Sequence, residues 1–150
     1  MTRPSEVKPR EGELPAALYD DWEPGAPFPE LSFTITPEVI DEYLSVISGT
    51  PELYVIDGRR AAPPNVVAVY MMAVMYRKYP PQQGGIMASN TFRFHHPIWA
   101  DENTEVVGSG KVENKYIKRG RKYICYTVEF RRASDGQLLS TVLHSSTFPE

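Results

Sequence analysis

The chain carries helix-period hydrophobic segments in its first half and period-two segments in its second. Val39, Ile40, Tyr43, Leu44 and Ile47 recur at helical spacing and predict an amphipathic helix. Thr36-Pro37-Glu38 supplies its N-cap, first-turn proline and acidic first turn, and Gly49 is its expected stop. A second helix is predicted over 65–79. Val66, Val69, Tyr70, Ala73 and Met75 point one way, and Val67, Met71 and Val74 another. A helix apolar on nearly every side belongs inside a protein. Pro64 suits its first turn, and Pro80-Pro81 ends it.

After Gln82-Gln83-Gly84-Gly85 the period changes to two. Strands are predicted at 91–94, 105–118, 122–132 and 137–148, with Phe33-Thr34-Ile35 a short strand before the first helix. Arg119-Gly120-Arg121 and Ser134-Asp135-Gly136 read as turns, and Gly108 and Gly110 as a bulge or bend. Residues 1–30 hold six prolines (4, 9, 15, 24, 27 and 29), which exclude a long helix or central strand there. That segment reads as an extended arm on the surface, with Leu14, Leu18, Tyr19 and Trp22 packing as a short turn on the body. The organisation is therefore an arm over 1–30 and one α+β domain over 31–150. In that domain an antiparallel sheet wraps around a long central apolar helix.

Composition narrows the function without naming it. A chain of 150 residues with 41% hydrophobic content builds one core. The net charge of −3 provides no basic field for nucleic acid. The longest apolar run, 66–75, is too short to span a bilayer, and no leader or anchor pattern opens the chain. A single cysteine, Cys125, excludes an internal disulfide framework, suits a reducing cytoplasm, and reads as an inert buried thiol.

Five segments then resemble one family. Ser48-Gly49-Thr50-Pro51-Glu52-Leu53-Tyr54 is similar to the MaoC-like hydratase segment in which Ser-Gly-Asp precedes Asn-Pro-Leu-His. Ala61-Ala62-Pro63-Pro64-Asn65 resembles the Ala-Pro-Pro-Thr-Phe stretch that opens the central helix in the N-terminal-type half of MaoC dehydratases. The segment 92–101 resembles the family's Arg-Phe-x-x-Pro-Val-x-x-Gly-Asp, and 118–123 and 135–138 resemble its last two hairpins. The resemblance covers about 31–148 and implies a hotdog fold, an acyl-thioester substrate carried on coenzyme A or an acyl carrier, and no further cofactor.

The departures matter more than the matches. The resemblance places a catalytic aspartate where this chain has Thr50, and a histidine where it has Tyr54. Threonine holds no charge at neutral pH, and a tyrosine with an ordinary value near 10 is a poor base. Pro64 stands at or beside the position whose N–H polarises the thioester carbonyl in the family, and proline has none; Asn65 N–H could serve instead. Asp57 is the nearest replacement carboxylate and, with Tyr54, the catalytic candidate; Asp57-Gly58 is also a turn signature. Tyr54, Ala62, Pro63, Pro64, Asn65 and His95 are the expected substrate-binding residues. Arg59, Arg60, Arg119 and Arg121 are the expected rim for the carrier's phosphates, against the plainer reading of solvated loops. His95 and His96 are neighbours on a predicted strand and so should face opposite ways, which argues against a shared metal ion. His144 reads as a packed or edge residue, and Met71, Met72 and Met75 as core or an adaptable pocket wall.

The leading expectation is a hydro-lyase component for enoyl or 3-hydroxyacyl thioesters. It would be the non-catalytic half of a pair whose other hotdog chain carries the Asp and His, assembled as a heterodimer or, failing a partner, a homodimer. One alternative is a homo-oligomeric thioesterase or cyclase using Asp57. Its weakness is that 65–79 contains no carboxylate. The other is a module that only binds an acyl thioester.

Overall fold

The computed structural model describes residues 15–82 and 84–148. Five strands form one antiparallel sheet in the order β1-β5-β6-β7-β4: β1 (Pro27–Ile35), β4 (Ile86–Phe94), β5 (Thr104–Lys118), β6 (Arg121–Arg132) and β7 (Leu138–Thr147). A separate two-stranded hairpin, β2 (Val55–Ile56) and β3 (Arg59–Arg60), lies in the connection between the helices α1 (Pro37–Val46) and α2 (Ala68–Tyr76). The α+β architecture expected from the sequence is present. Its central helix is shorter than expected: Pro64–Val67 form a 3-10 turn, and the α-helix covers Ala68–Tyr76. Two consecutive prolines at 63 and 64 leave the first turn short of amide donors, which suits the tighter turn.

The sheet curls around α2 because its inward positions are large and apolar. Ile124, Tyr126, Val128 and Phe130 alternate along β6, each almost fully buried. Phe33 of β1 stacks on Tyr70 of α2, with ring centroids 3.8 Å apart and planes 5° from parallel. Gly108 and Gly110 were expected at a bulge, and the β1–β5 register does shift there, between Phe28 opposite Gly110 and Leu31 opposite Gly108; a second shift, in the β5–β6 pair, lies between Val112 and Asn114. The glycines also answer a packing need. A Cβ on Gly108 would lie 2.7 Å from Val74 Cγ2, so the missing side chain lets α2 sit close to the sheet. At Gly110 a Cβ would run into the Thr127 carbonyl.

The N-cap of α1 follows the sequence. Thr36 Oγ1 accepts from Val39 N at 3.3 Å, and Val39, Ile40 and Leu44 are buried. The left-handed residue that ends α1 is Ser48 (φ +51°), not Gly49, whose N–H returns to Leu44 O at 2.8 Å. The strand foreseen at 33–35 begins at Pro27. Prolines are tolerated there because, among the described residues, β1 pairs only with β5 and stands at the sheet's edge. Ahead of it, Tyr19–Asp21 form a 3-10 turn and Trp22 is fully buried, stacked on Tyr79 with centroids 3.9 Å apart. Leu18 is exposed, and Leu14 and the rest of 1–14 lie outside the described residues. Cys125 is half-buried rather than enclosed.

Two tight turns share one geometry. Arg119 and Gly120 have φ of +51° and +79° between β5 and β6, and Asp57 and Gly58 have +50° and +78° between β2 and β3. Positive φ at both central residues is the type I′ hairpin form, which glycine and aspartate tolerate well.

Candidate functional site

A cavity of about 220 Å³ opens at the start of the central helix. Residues 61–64 and Val67 form its floor, Phe94 to Ile98 one wall, Leu139 and Ser140 of β7 another, and Ile56 its lip. Most of this lining is apolar. Of the expected substrate-binding residues, Ala62, Pro63, Pro64 and His95 meet here. Tyr54 and Asn65 are not part of the lining. Tyr54 is half-buried against the core and its carbonyl accepts from Ala61 N at 2.8 Å, while Asn65 is exposed.

Asp57 is placed at the exposed tip of the β2–β3 hairpin, where the type I′ turn accounts for Asp57-Gly58, and it does not line the cavity. Thr50 is likewise exposed. Among the described residues, no Asp or Glu appears in the lining.

Both histidines do. Strand alternation predicted that His95 and His96 would diverge, but β4 ends at Phe94. The N–H groups of His95 and His96 converge on the single carbonyl of Leu139, at 2.9 and 3.3 Å, so the chain bends and the alternation breaks. His95 Nε2 lies 2.9 Å from Thr141 Oγ1. His96 Nδ1 lies 2.8 Å from Leu138 O. A carbonyl only accepts, so His96 Nδ1 carries the proton and, in the neutral ring, Nε2 keeps its lone pair. Sequence reasoning missed His96 as a site residue for want of that bend. It missed Ser140 altogether: a serine inside a strand gives no periodic signal.

The expected phosphate rim does not assemble on one chain. Arg59 contacts Asp101 at 2.7 Å and Glu102 at 2.5 Å and lies 4.4 Å over the Trp99 ring. Hydrogen bonds donated to Asp101, then to Glu102, raise the Arg59 pKa, and the same guanidinium holds the Asp101 carboxyl below its ordinary value. Arg60 pairs with Asp41 at 2.5 Å. Arg119 and Arg121 sit at the β5–β6 turn. Ser140, at the cavity, pairs with Phe130, and Arg121 lies nine residues farther along β6, ~30 Å at ~3.3 Å per residue.

A second cavity of about 240 Å³ lies toward the other end of α2. Met71, Met72, Met75 and Met87, all the methionines among the described residues, line it with Tyr126 and His144. Tyr126 Oη donates to Met72 Sδ at 3.1 Å, and burial raises the phenol pKa far above its ordinary value. His144 is buried, packs on Tyr126 with centroids 4.7 Å apart, and donates from Nδ1 to Asn90 Oδ1 at 2.6 Å. Desolvation lowers its pKa to about 4, so it is neutral at pH 7. No cluster of three metal-ligating His, Cys, Asp or Glu side chains occurs among the described residues.

Solved structures match this arrangement over most of its length. A MaoC-like dehydratase from Rhodospirillum rubrum superposes with a TM-score of 0.69 at 14% identity, over 90% of this chain and 99% of that one. The fold is the hotdog fold. A monoamine oxidase regulatory protein from Archaeoglobus fulgius gives a TM-score of 0.71 at 17% identity over 89% and 94% of the two chains. The C-terminally truncated HadBC (3R-hydroxyacyl-ACP dehydratase) complex from Mycobacterium tuberculosis gives 0.68 at 14% over 83% and 96%. No family model and no curated protein matches the sequence. Within this hotdog, β4 is an edge strand with exposed Ile86, Met87 and Phe94, and Leu143 is exposed beside it on β7. No helix among the described residues is long and apolar enough to cross a membrane.

Proposed function

We propose that this chain is a MaoC-like hydro-lyase component that binds an enoyl or 3-hydroxyacyl thioester in the cavity at the start of α2. It leaves the chemistry to a second hotdog chain bearing the Asp and His. The observation that carries this reading is the composition of the cavity: apolar walls at the mouth of the central helix and, among the described residues, no carboxylate in the lining. A hydratase without a carboxylate base at its substrate loses the acid–base contribution, typically 10²–10⁴-fold. What remains is a dry acyl-binding slot.

The partner's place is the β4 edge. An open strand edge with exposed Ile86, Met87 and Phe94 is an aggregation hazard unless another chain covers it. The complex nature of HadBC, one of the structural neighbours, agrees with a paired assembly. The test is reconstitution. Mixing this chain with a MaoC-like chain carrying an intact Asp/His pair should give a stable complex that hydrates acyl thioesters the catalytic chain alone handles poorly. If no complex forms and the catalytic chain is unaffected, the pairing is wrong.

A second reading has one observation in its favour. His96 lines the cavity with Nδ1–H fixed by Leu138 O, an arrangement that leaves Nε2 available as a base. An enzyme with relocated chemistry, a thioesterase or cyclase, would use His96 rather than Asp57, which stands at the hairpin tip. Turnover by the isolated chain that His96→Gln abolishes would establish this alternative.

A further inference from the structure

We propose that the methionine-lined cavity toward the far end of α2 binds a small neutral aromatic molecule whose N–H or O–H donates to Nε2 of His144. The inference concerns a different cavity from the acyl-thioester reading and does not rest on it.

The amide of Asn90 decides which ring nitrogen is free. Its Nδ2 donates to Met87 Sδ at 2.9 Å, which turns Oδ1 toward His144 Nδ1 at 2.6 Å. An amide oxygen only accepts, so the ring proton sits on Nδ1 and Nε2 carries a lone pair. That nitrogen also reaches open space. Among the described residues the ring makes no hydrogen bond except the one to Asn90. The buried side-chain nitrogens and oxygens left without a partner there are Trp22 Nε1, Arg60 Nε and Ser140 Oγ. His144 Nε2 is unpaired and is not one of them, so it retains accessible surface, and the cavity that His144 lines is this one. The neighbouring phenol of Tyr126 has its proton committed to Met72 Sδ.

The rest of the wall selects the body of the ligand. Met71, Met72, Met75 and Met87 line the cavity, and among the described residues no Asp, Glu, Lys or Arg joins them. A charged ligand would lose its hydration there with no counter-charge in return. Thioethers make favourable contacts with aromatic rings and adapt to their shape. An apolar cavity of ~150 Å³ holds benzene, so about 240 Å³ suits one ring or two fused rings. Gly85 and Met87, both exposed, mark the entrance.

Indole and indene are the probes: nearly one shape, with N–H in the first and CH₂ at the same place in the second. Each is titrated by NMR into the purified chain and into His144→Phe, which keeps a flat ring beside Tyr126 but has no nitrogen. The methionine methyl groups report occupancy, and the His144 ring nitrogens report the hydrogen bond. Because the probes differ in hydrophobicity, the quantity read is the ratio of their affinities. The indole-to-indene ratio is expected to be three- to tenfold higher in wild type than in His144→Phe, about what one neutral hydrogen bond supplies. In wild type both probes should move the methyl signals of Met71, Met72, Met75 and Met87, and indole alone should move the Nε2 resonance. That wild-type signal decides the matter even if the variant does not fold. Equal ratios in the two proteins, or an Nε2 resonance indifferent to indole, would overturn the hydrogen bond. Methionine methyls unmoved by either probe would overturn the site.

Discussion

Acidification should expose the cost of burying His144. The ring is buried, neutral, and tied through Nδ1–H to Asn90, with thioethers and Tyr126 around it. Its pKa is lowered from 6.5 to about 4 by desolvation. The sign follows directly: the unfolded chain takes up a proton as pH falls through 6.5, and the folded chain resists until about 4. The stabilisation from the neutral ring is therefore complete above pH 6.5 and is lost as pH falls toward 4. Between pH 7 and 5 the full shift corresponds to roughly 2 kcal/mol. The cavity beside His144 is open to water on one side, which screens the charge and brings the expectation to about 1 kcal/mol. The assay is urea unfolding of wild type and His144→Gln at both pH values. Gln can still donate to Asn90 but does not titrate, and the comparison removes carboxylate effects common to both proteins. Wild type should lose about 1 kcal/mol more than the variant on going from pH 7 to 5. Parallel loss in the two proteins would refute the buried neutral imidazole.

Three further outcomes follow from packing. Gly108→Ala should destabilise the fold by ~1–3 kcal/mol through overpacking against Val74 and Phe130, and Val74→Ala should recover part of that in the double variant, as read by denaturant unfolding. Met87→Lys on the β4 edge should reduce self-association or partner binding in sedimentation velocity while leaving far-ultraviolet circular dichroism unchanged. Tyr54→Ala should cost ~1–2 kcal/mol of stability as a half-buried aromatic, with acyl-thioester affinity intact; the reverse pattern would return Tyr54 to the cavity.

The sequence revealed the fold wherever periodicity and turn chemistry agreed. β5, β6 and β7 fall within one residue of their predicted ends because Arg119-Gly120 and Asp135-Gly136 punctuate them. The longer reach of β1 and β4 was hidden: Pro27 and Pro29 argue against a central strand but not against an edge, and the exposed Ile86 and Met87 break the alternation that marks a half-buried strand. At the site, Ala62, Pro63, Pro64 and His95 were legible because they adjoin a helix start or a strand end. His96 and Ser140 were not. The first depends on two amides sharing the Leu139 carbonyl, and the second on a burial that composition cannot register. The arginines were legible as charges. Their carboxylate partners Asp101, Glu102 and Asp41 were not, because those contacts join segments 19 to 43 residues apart.

The most direct test of the central claim is to follow crotonyl-CoA by NMR with the purified chain and no other protein. The account predicts that the crotonyl resonances shift or broaden saturably while no 3-hydroxybutyryl-CoA forms at the rate of an ordinary hydratase. Hydration at such a rate would contradict the non-catalytic role, and unperturbed resonances would contradict the acyl-thioester site.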